Sequence, residues 1–234
     1  MAAEHTKANA IQAERLHRFT HDLRNRLASI HQVVDELVAA GDPQSEALRE
    51  FAEQQYFRAL RATEELLDDL GVDRGISTIK SEAVDLTAVV QRCIGDLDHR
   101  FTRKQQKVRS IGNDTIHVIG DTHWLEQLVS ALLTNASKFS RSDSTIEVRL
   151  ERTNGHVNLT VTDQGVGLSA KDLERVFTRY AWLESRSTAN EPQGRSTLAR
   201  AQQWARLHGG TLSASSEGPG KGSTFSLQLP TTDQ

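Results

Sequence analysis

The chain has 234 residues, 28 lysines and arginines against 31 acids, a formal charge of −3, and 37% hydrophobic residues. This length allows one large domain or two smaller ones, the balance suits packed cores, and the charge argues against an overall nucleic-acid-binding surface. A single cysteine, Cys93, excludes an intrachain disulfide and a thiolate zinc cluster, and no apolar run approaches the ~18 residues of a membrane span.

The opening residues MAAEHTKANA lack a basic flank followed by an apolar stretch, so no secretory signal is expected and the chain reads as soluble and cytoplasmic. From about Asn9 to Ala39, apolar residues fall at Leu16, Phe19, Leu23, Leu27, Ile30, Val34 and Leu37. The alternating steps of three and four predict one narrow helical seam. Gly41-Asp42-Pro43 ends that helix. A second seam runs through Leu48, Ala52, Tyr56, Leu60, Thr63, Leu67 and Leu70 to Gly71, with Phe51 and Phe57 widening its apolar surface. Two amphipathic helices cannot cover each other's apolar faces alone. A homodimeric four-helix bundle through residues of roughly 9 to 70 is therefore expected. Packing of the hairpin on the C-terminal domain is the competing arrangement.

At ~100° per residue, His21 stands about 200° from both Phe19 and Leu23, which directs it to solvent. Asn25, four residues on, shares that face, and Asp22 lies beside it. A carboxylate can accept the ring proton and keep an imidazole nucleophilic. The amide could position a water for the reverse, hydrolytic step. Taken alone, these residues read first as a plain solvated helix face; they are compatible with this chemistry and do not demand it.

A connector follows, from Ile76 to Ala83. Asp85 caps a predicted helix from Leu86 to about Phe101. Lys107–Ile111 and Ile116–Ile119 read as strands, and Asp121 starts a helix reaching about Phe139. Ser144–Arg152 and His156–Thr162 alternate as strands around Asn154-Gly155, a hairpin turn. Leu168–Phe177 contains a short helix, Arg179–Thr197 a long polar loop, and Leu198–Leu207 a helix ended by Gly209-Gly210. Thr211–Ser215 and Thr224–Leu229 close the chain as strands. The whole predicts an α+β protein: a helical hairpin over 1–79, then, over 80–234, a sandwich of helices on one face of a mixed, largely antiparallel sheet.

Four segments of the second domain suit a nucleotide. Asn135 and Lys138 share a helical face, and an amide oxygen fits Mg²⁺ while a lysine fits phosphate. Asp163-Gln164-Gly165-Val166-Gly167 follows a strand, where glycines admit a flat ligand and a carboxylate accepts from an exocyclic amine. Gly220-Lys221-Gly222-Ser223-Thr224-Phe225 reads alone as a turn into a strand, and the polar loop before Leu198 could cover phosphates.

In order and spacing these segments resemble the transmitter core of two-component sensor histidine kinases, over about residues 16 to 230. FTHDLRNRL is similar to the phospho-acceptor box, LEQLVSALLTNASKFS to the asparagine box and DQGVGL to the first glycine box. VFTRY is similar to the phenylalanine box, and HGG with GKGSTF to the closing segment. The resemblance implies a dimeric bundle carrying the histidine, joined to a Bergerat-type ATP-binding domain of the GHKL class. It implies His21 as the phosphorylated imidazole, Asp22 as the adjacent acid and Asn25 as the residue for dephosphorylation. It further implies Asn135 as Mg²⁺ ligand, Lys138 as phosphate contact, Asp163 as reader of the adenine amine, and Gly165 and Gly167 as pocket glycines. Phe177 would belong to the base of the loop, and Thr224, Gly194 and Arg195 would bind nucleotide, with Arg186 a further phosphate candidate.

Three positions depart from the family pattern. Arg26 replaces a proline, Ala131 replaces a first asparagine, and the second glycine box retains only Gly194. The expected function is ATP-dependent phosphorylation of His21 and transfer to an aspartate of a receiver domain. A separate sensor protein could supply the stimulus. A histidine phosphotransferase with a decayed ATP site is the alternative. A non-catalytic GHKL-type binding module is a third, and it would have no use for the His21-Asp22-Asn25 arrangement.

Overall fold

The computed structural model describes residues 19, 21–23, 25, 27–28, 51–63, 79–112, 114–153, 155–185, 187–188 and 196–231. The chain divides into two units, Met1–Thr78 and Ile79–Gln234. In the first unit the described residues between 19 and 28 and all of 51–63 are helical. Within 51–63, Leu60 is buried as its seam position predicts, and so is Phe57, whose ring meets Tyr56 edge-on at 4.9 Å. Phe19 and Phe51 are exposed. The turn at Gly41-Asp42-Pro43 and most of both seams lie outside the described residues, and the expected dimeric bundle lies with them.

The second unit runs β1 (Glu82–Asp85), α1 (Leu86–Asp96), α2 (Asp98–Arg103), β2 (Lys107–Ile111), β3 (His117–Gly120), α3 (Thr122–Phe139), β4 (Thr145–Thr153), β5 (His156–Asp163), α4 (Ala170–Arg175), α5 (Thr197–Leu207), β6 (Thr211–Ser215) and β7 (Ser223–Pro230). Five strands form one sheet in the order β2-β4-β5-β7-β6. Only β2 and β4 run parallel, so the sheet is mixed and largely antiparallel, as expected. Val157, Leu159 and Val161 of β5 are buried while Asn158, Thr160 and Thr162 between them are half-exposed. That alternation puts one face on the helices and the other toward water.

Two elements differ from expectation. Residues 82 and 83, read as the end of a connector, form β1 together with Val84 and the capping Asp85, and β1 pairs antiparallel with β3 from Glu82↔Gly120 to Asp85↔His117. Four residues of mixed polarity carry too little periodicity to show such a strand. The predicted helix from Leu86 to Phe101 is interrupted at Leu97, whose N–H turns back to the carbonyls of Cys93 and Gly95.

Helix α3 is the centre of the unit. Asp121 caps it, its Oδ1 accepting from the N–H groups of His123 (3.0 Å) and Trp124 (3.4 Å). Leu125, Leu128, Leu132 and Leu133 are wholly buried among α1, α5 and the sheet, and Trp124 meets Trp204 of α5 at 5.5 Å. This packing leaves one side of the last two turns, carrying Asn135 and Lys138, for the site.

Candidate active site

On the N-terminal helix, His21 and Asp22 are exposed, with side chains at 61% and 71%. The Asp22 Oδ1 atom lies 3.8 Å from His21 Nδ1, and Asn25 Nδ2 lies 3.3 Å from the same nitrogen. The three residues expected to act together are therefore adjacent, with both neighbours on Nδ1. The nearby Asp22 carboxylate, beyond hydrogen-bond range, electrostatically favours a proton on Nδ1, and that tautomer leaves the lone pair on Nε2 free. An Asn25 N–H donated to Nδ1 favours the opposite tautomer. The two neighbours thus bias the ring in opposite senses.

In the second unit a cavity of about 360 Å³ opens between α3, the segment after β5, residues 176–185, the start of α5 and β7. Its apolar part is walled by Val166, Leu168, Val176, Ala181, Leu183 and Phe225. Thr134, Asn135 and Lys138 of α3 and Arg100 of α2 line it as well. Asn135 lines the cavity, one helical turn before Lys138 on the same face of α3. The Lys138 ammonium lies 5.8 Å above the Phe139 ring.

Asp163 ends β5 directly behind the cavity wall and is only 3% exposed. Its Oδ1 accepts from the Gly165 N–H at 2.8 Å, and its Oδ2 accepts from the Ser223 hydroxyl at 2.5 Å. Burial raises its pKa above the ordinary aspartate range, and the Ser223 and Gly165 donors only partly offset that. Gly167 lines the cavity at φ +69, where a β-carbon would stand 2.1 Å from the Gly218 carbonyl oxygen. Gly165 is held against the end of α3 through an isolated bridge to Ser140. Phe177 meets Phe225 edge-on at 6.3 Å and so backs the wall without lining it.

Thr224, expected to bind nucleotide, lies elsewhere. Its hydroxyl pairs with Thr162 at 3.0 Å, on the sheet face away from the helices. Ser223, in register with Asp163, takes the inward position and lines the cavity. Gly194, Arg195 and Arg186 lie outside the described residues.

Several supporting residues went unread in the sequence. Asp172 is buried and accepts from the N–H groups of Glu184 (2.8 Å) and Ser185 (3.2 Å), fixing part of the cavity wall. Lys104 is buried and donates to Ser137 O (2.6 Å), Ser140 O (2.8 Å) and Thr188 Oγ1 (2.9 Å). It thereby satisfies carbonyls at the end of α3 and ties residue 188 to them. His208 donates from Nδ1 to Trp204 O at 2.7 Å and accepts the Asp121 N–H on Nε2 at 3.1 Å. A β-carbon on Gly120 would stand 2.5 Å from that ring, which explains the glycine before the Asp121 cap.

The donor set fits a nucleotide. A buried carboxylate with a hydroxyl beside it suits an exocyclic amine, the apolar walls suit a purine, and the amide and cations suit phosphates. Among the described residues no cluster of three or more His, Cys, Asp or Glu side chains could hold a metal. A Mg²⁺ ion would rest on Asn135 together with the ligand's own phosphates and water. No helix among the described residues is long and apolar enough to cross a membrane.

Comparison with known proteins agrees with this geometry. Residues 120–233 match the family described as Histidine kinase-, DNA gyrase B-, and HSP90-like ATPase. The matched residues fall within the second unit. More particularly, the chain is 25% identical over 234 residues to the sensor-like histidine kinase SenX3 of Mycolicibacterium smegmatis, covering 97% of this chain and 60% of that protein. The chain therefore spans about 60% of the length of that relative. Among solved structures, the mycobacterial sensor histidine kinase MprB aligns with a TM-score of 0.57 at 29% identity, covering 64% of this chain and 98% of that one. Full-length ShkA in complex with AMPPNP shares the fold at a TM-score of 0.60 and 17% identity, over 93% of this chain and 46% of that one. The resemblance to the transmitter core of sensor histidine kinases is borne out.

Proposed function

We propose that this chain is the transmitter of a two-component system: it transfers the γ-phosphoryl group of ATP to His21 and then to an aspartate of a receiver domain. The observation that carries the reading is the buried Asp163–Ser223 pair behind a cavity that also presents Asn135 and Lys138. Similarity to sensor histidine kinases along nearly the whole chain supports it. The adenine amine donates to Asp163, directly or through Ser223. The base lies among Val166, Leu168, Val176 and Phe225, and the phosphates extend toward Asn135 and Lys138. Bound Mg²⁺, held on Asn135, supplies charge neutralisation at the phosphates.

The step itself is nucleophilic. With its proton on Nδ1, the His21 ring offers the Nε2 lone pair to the γ-phosphorus. The Nε2–P bond forms, the bond to the bridging oxygen breaks, and ADP leaves. The Nδ1 proton passes to Asp22, whose Oδ1 stands 3.8 Å away. The exposed face around His21 then docks the receiver, whose aspartate oxygen displaces Nε2 from phosphorus. Asn25 orients a water for the competing hydrolysis. The proposal includes a homodimer through the N-terminal hairpin and a cytoplasmic location.

Incubation of the purified chain with Mg²⁺ and γ-labelled ATP, beside His21→Ala, tests this. Alkali-stable, acid-labile label is expected on the wild type and absent from the variant. No label from ATP, but His21-dependent label from a phosphorylated receiver, would replace the kinase with a relay.

A further inference from the structure

We propose that Arg100 is a second cationic anchor for the nucleotide's polyphosphate, in partnership with Lys138; this rests on the ATP-binding reading above. Among the described residues, Arg100 and Lys138 are the two charged side chains that line the cavity, and both are cations. They come from different elements. Lys138 stands on the last turn of α3, and Arg100 on α2, which has no place in the motifs that suggested nucleotide binding.

The placement of α2 is fixed independently of any ligand. Lys104, one helical turn beyond Arg100, is held by the carbonyls of Ser137 and Ser140, which flank Lys138 in sequence. Arg100 is therefore carried by an element tied to the end of α3 that bears Lys138, and both side chains line the cavity. Arg100 is half-buried at the cavity wall, where burial first and the Arg103 guanidinium second press its pKa below the usual value. A cation in a partly desolvated wall favours an anion placed in that cavity. Position 131, also on the wall, is an alanine and offers that anion no hydrogen bond. A planar guanidinium can grip a phosphate through two parallel N–H bonds, which a lysine cannot do.

The test measures affinity of the full chain, with Mg²⁺, for the non-hydrolysable β,γ-imido analogue of ATP and for adenosine by titration calorimetry. Arg100→Ala should weaken the analogue by about tenfold or more and leave adenosine unchanged. Arg100→Lys should recover part of the loss by restoring the charge. If Arg100→Ala fails to fold, Arg100→Gln takes its place: loss of analogue affinity in Gln but retention in Lys is the expected result. Unchanged analogue affinity in the neutral variants overturns the role of Arg100 while leaving the ATP site standing. Equal loss of analogue and adenosine also overturns it, since Arg100 would then support only the wall. A wild type that binds neither compound overturns the ATP reading and this inference together.

Discussion

Replacing Asp163 by asparagine separates the nucleotide role of this residue from its structural role. The wild-type carboxylate accepts the Gly165 N–H on Oδ1 and the Ser223 hydroxyl on Oδ2. An asparagine keeps the first bond through its carbonyl and keeps the second if Ser223 turns to accept. Little internal hydrogen bonding is therefore lost. The nucleotide loses more, because an adenine amine would meet an NH₂ group, or a reoriented serine, in place of an anionic acceptor. A hydrogen bond to a charged group contributes about 1.5–3 kcal/mol, which predicts about 10- to 150-fold weaker binding. Stability should move the other way. Burial raises the folded-state pKa of Asp163, so the fold favours the protonated acid. The stability this supplies is complete below the unfolded value of about 4 and is lost as pH rises through the raised folded value. At neutral pH the wild type carries a buried charge that the Asp163→Asn substitution removes. Calorimetric titration and a thermal melt of the ligand-free variant read both effects. Weak nucleotide binding with a melting temperature no lower than wild type is expected. Unchanged affinity, or a variant that melts much earlier, would refute the reasoning.

Other perturbations follow from the same geometry. Acidification should weaken nucleotide binding at a pH above the ordinary aspartate range, because protonation of Asp163 removes an acceptor; Asp163→Asn should flatten that part of the pH profile. Lys104→Met should leave carbonyls of Ser137 and Ser140 without their donor and lower stability by about 1–3 kcal/mol in denaturant titration. Gly167→Ala forces a β-carbon against the Gly218 carbonyl at a left-handed backbone angle; it should cost about 1–3 kcal/mol or more and disturb nucleotide binding. Asn25→Ala should slow loss of phosphate from His21 without abolishing its arrival, measured as the lifetime of the labelled protein after ATP removal.

The parts of this molecule that were legible in sequence are those fixed by local periodicity. Helix α3 announced itself by Asp121 and the spacing of Leu125, Leu128 and Leu132, and all four residues sit as that pattern requires. The hairpin between β4 and β5 followed from alternation on either side of Asn154-Gly155, and the ladder from Thr153↔His156 onward matches it. What escaped was set by partners distant in sequence. Strand β1 exists because β3 lies beside it, and nothing in residues 82–85 alone records that neighbour. Lys104 and Asp172 went unread because their acceptors and donors lie 33 and 12 residues away. His208 finds Asp121 across 87 residues. Thr224 is a different case. Phe225, Leu227 and Leu229 alternate toward the core, and the same parity carries Ser223, not Thr224, to the inward face beside Asp163. That parity is visible in the sequence itself.

The measurement that bears most directly on the central claim is the location of the phosphoryl group after reaction with ATP. The full chain, treated with Mg²⁺ and ATP and digested under mildly alkaline conditions that preserve phosphohistidine, is mapped by mass spectrometry. A single phosphoryl group on His21 is predicted, strongly reduced when Asp163→Asn protein is treated alike at limiting ATP. A phosphoryl group on any other residue, or an ATP-treated protein that carries none while binding the nucleotide, would contradict it.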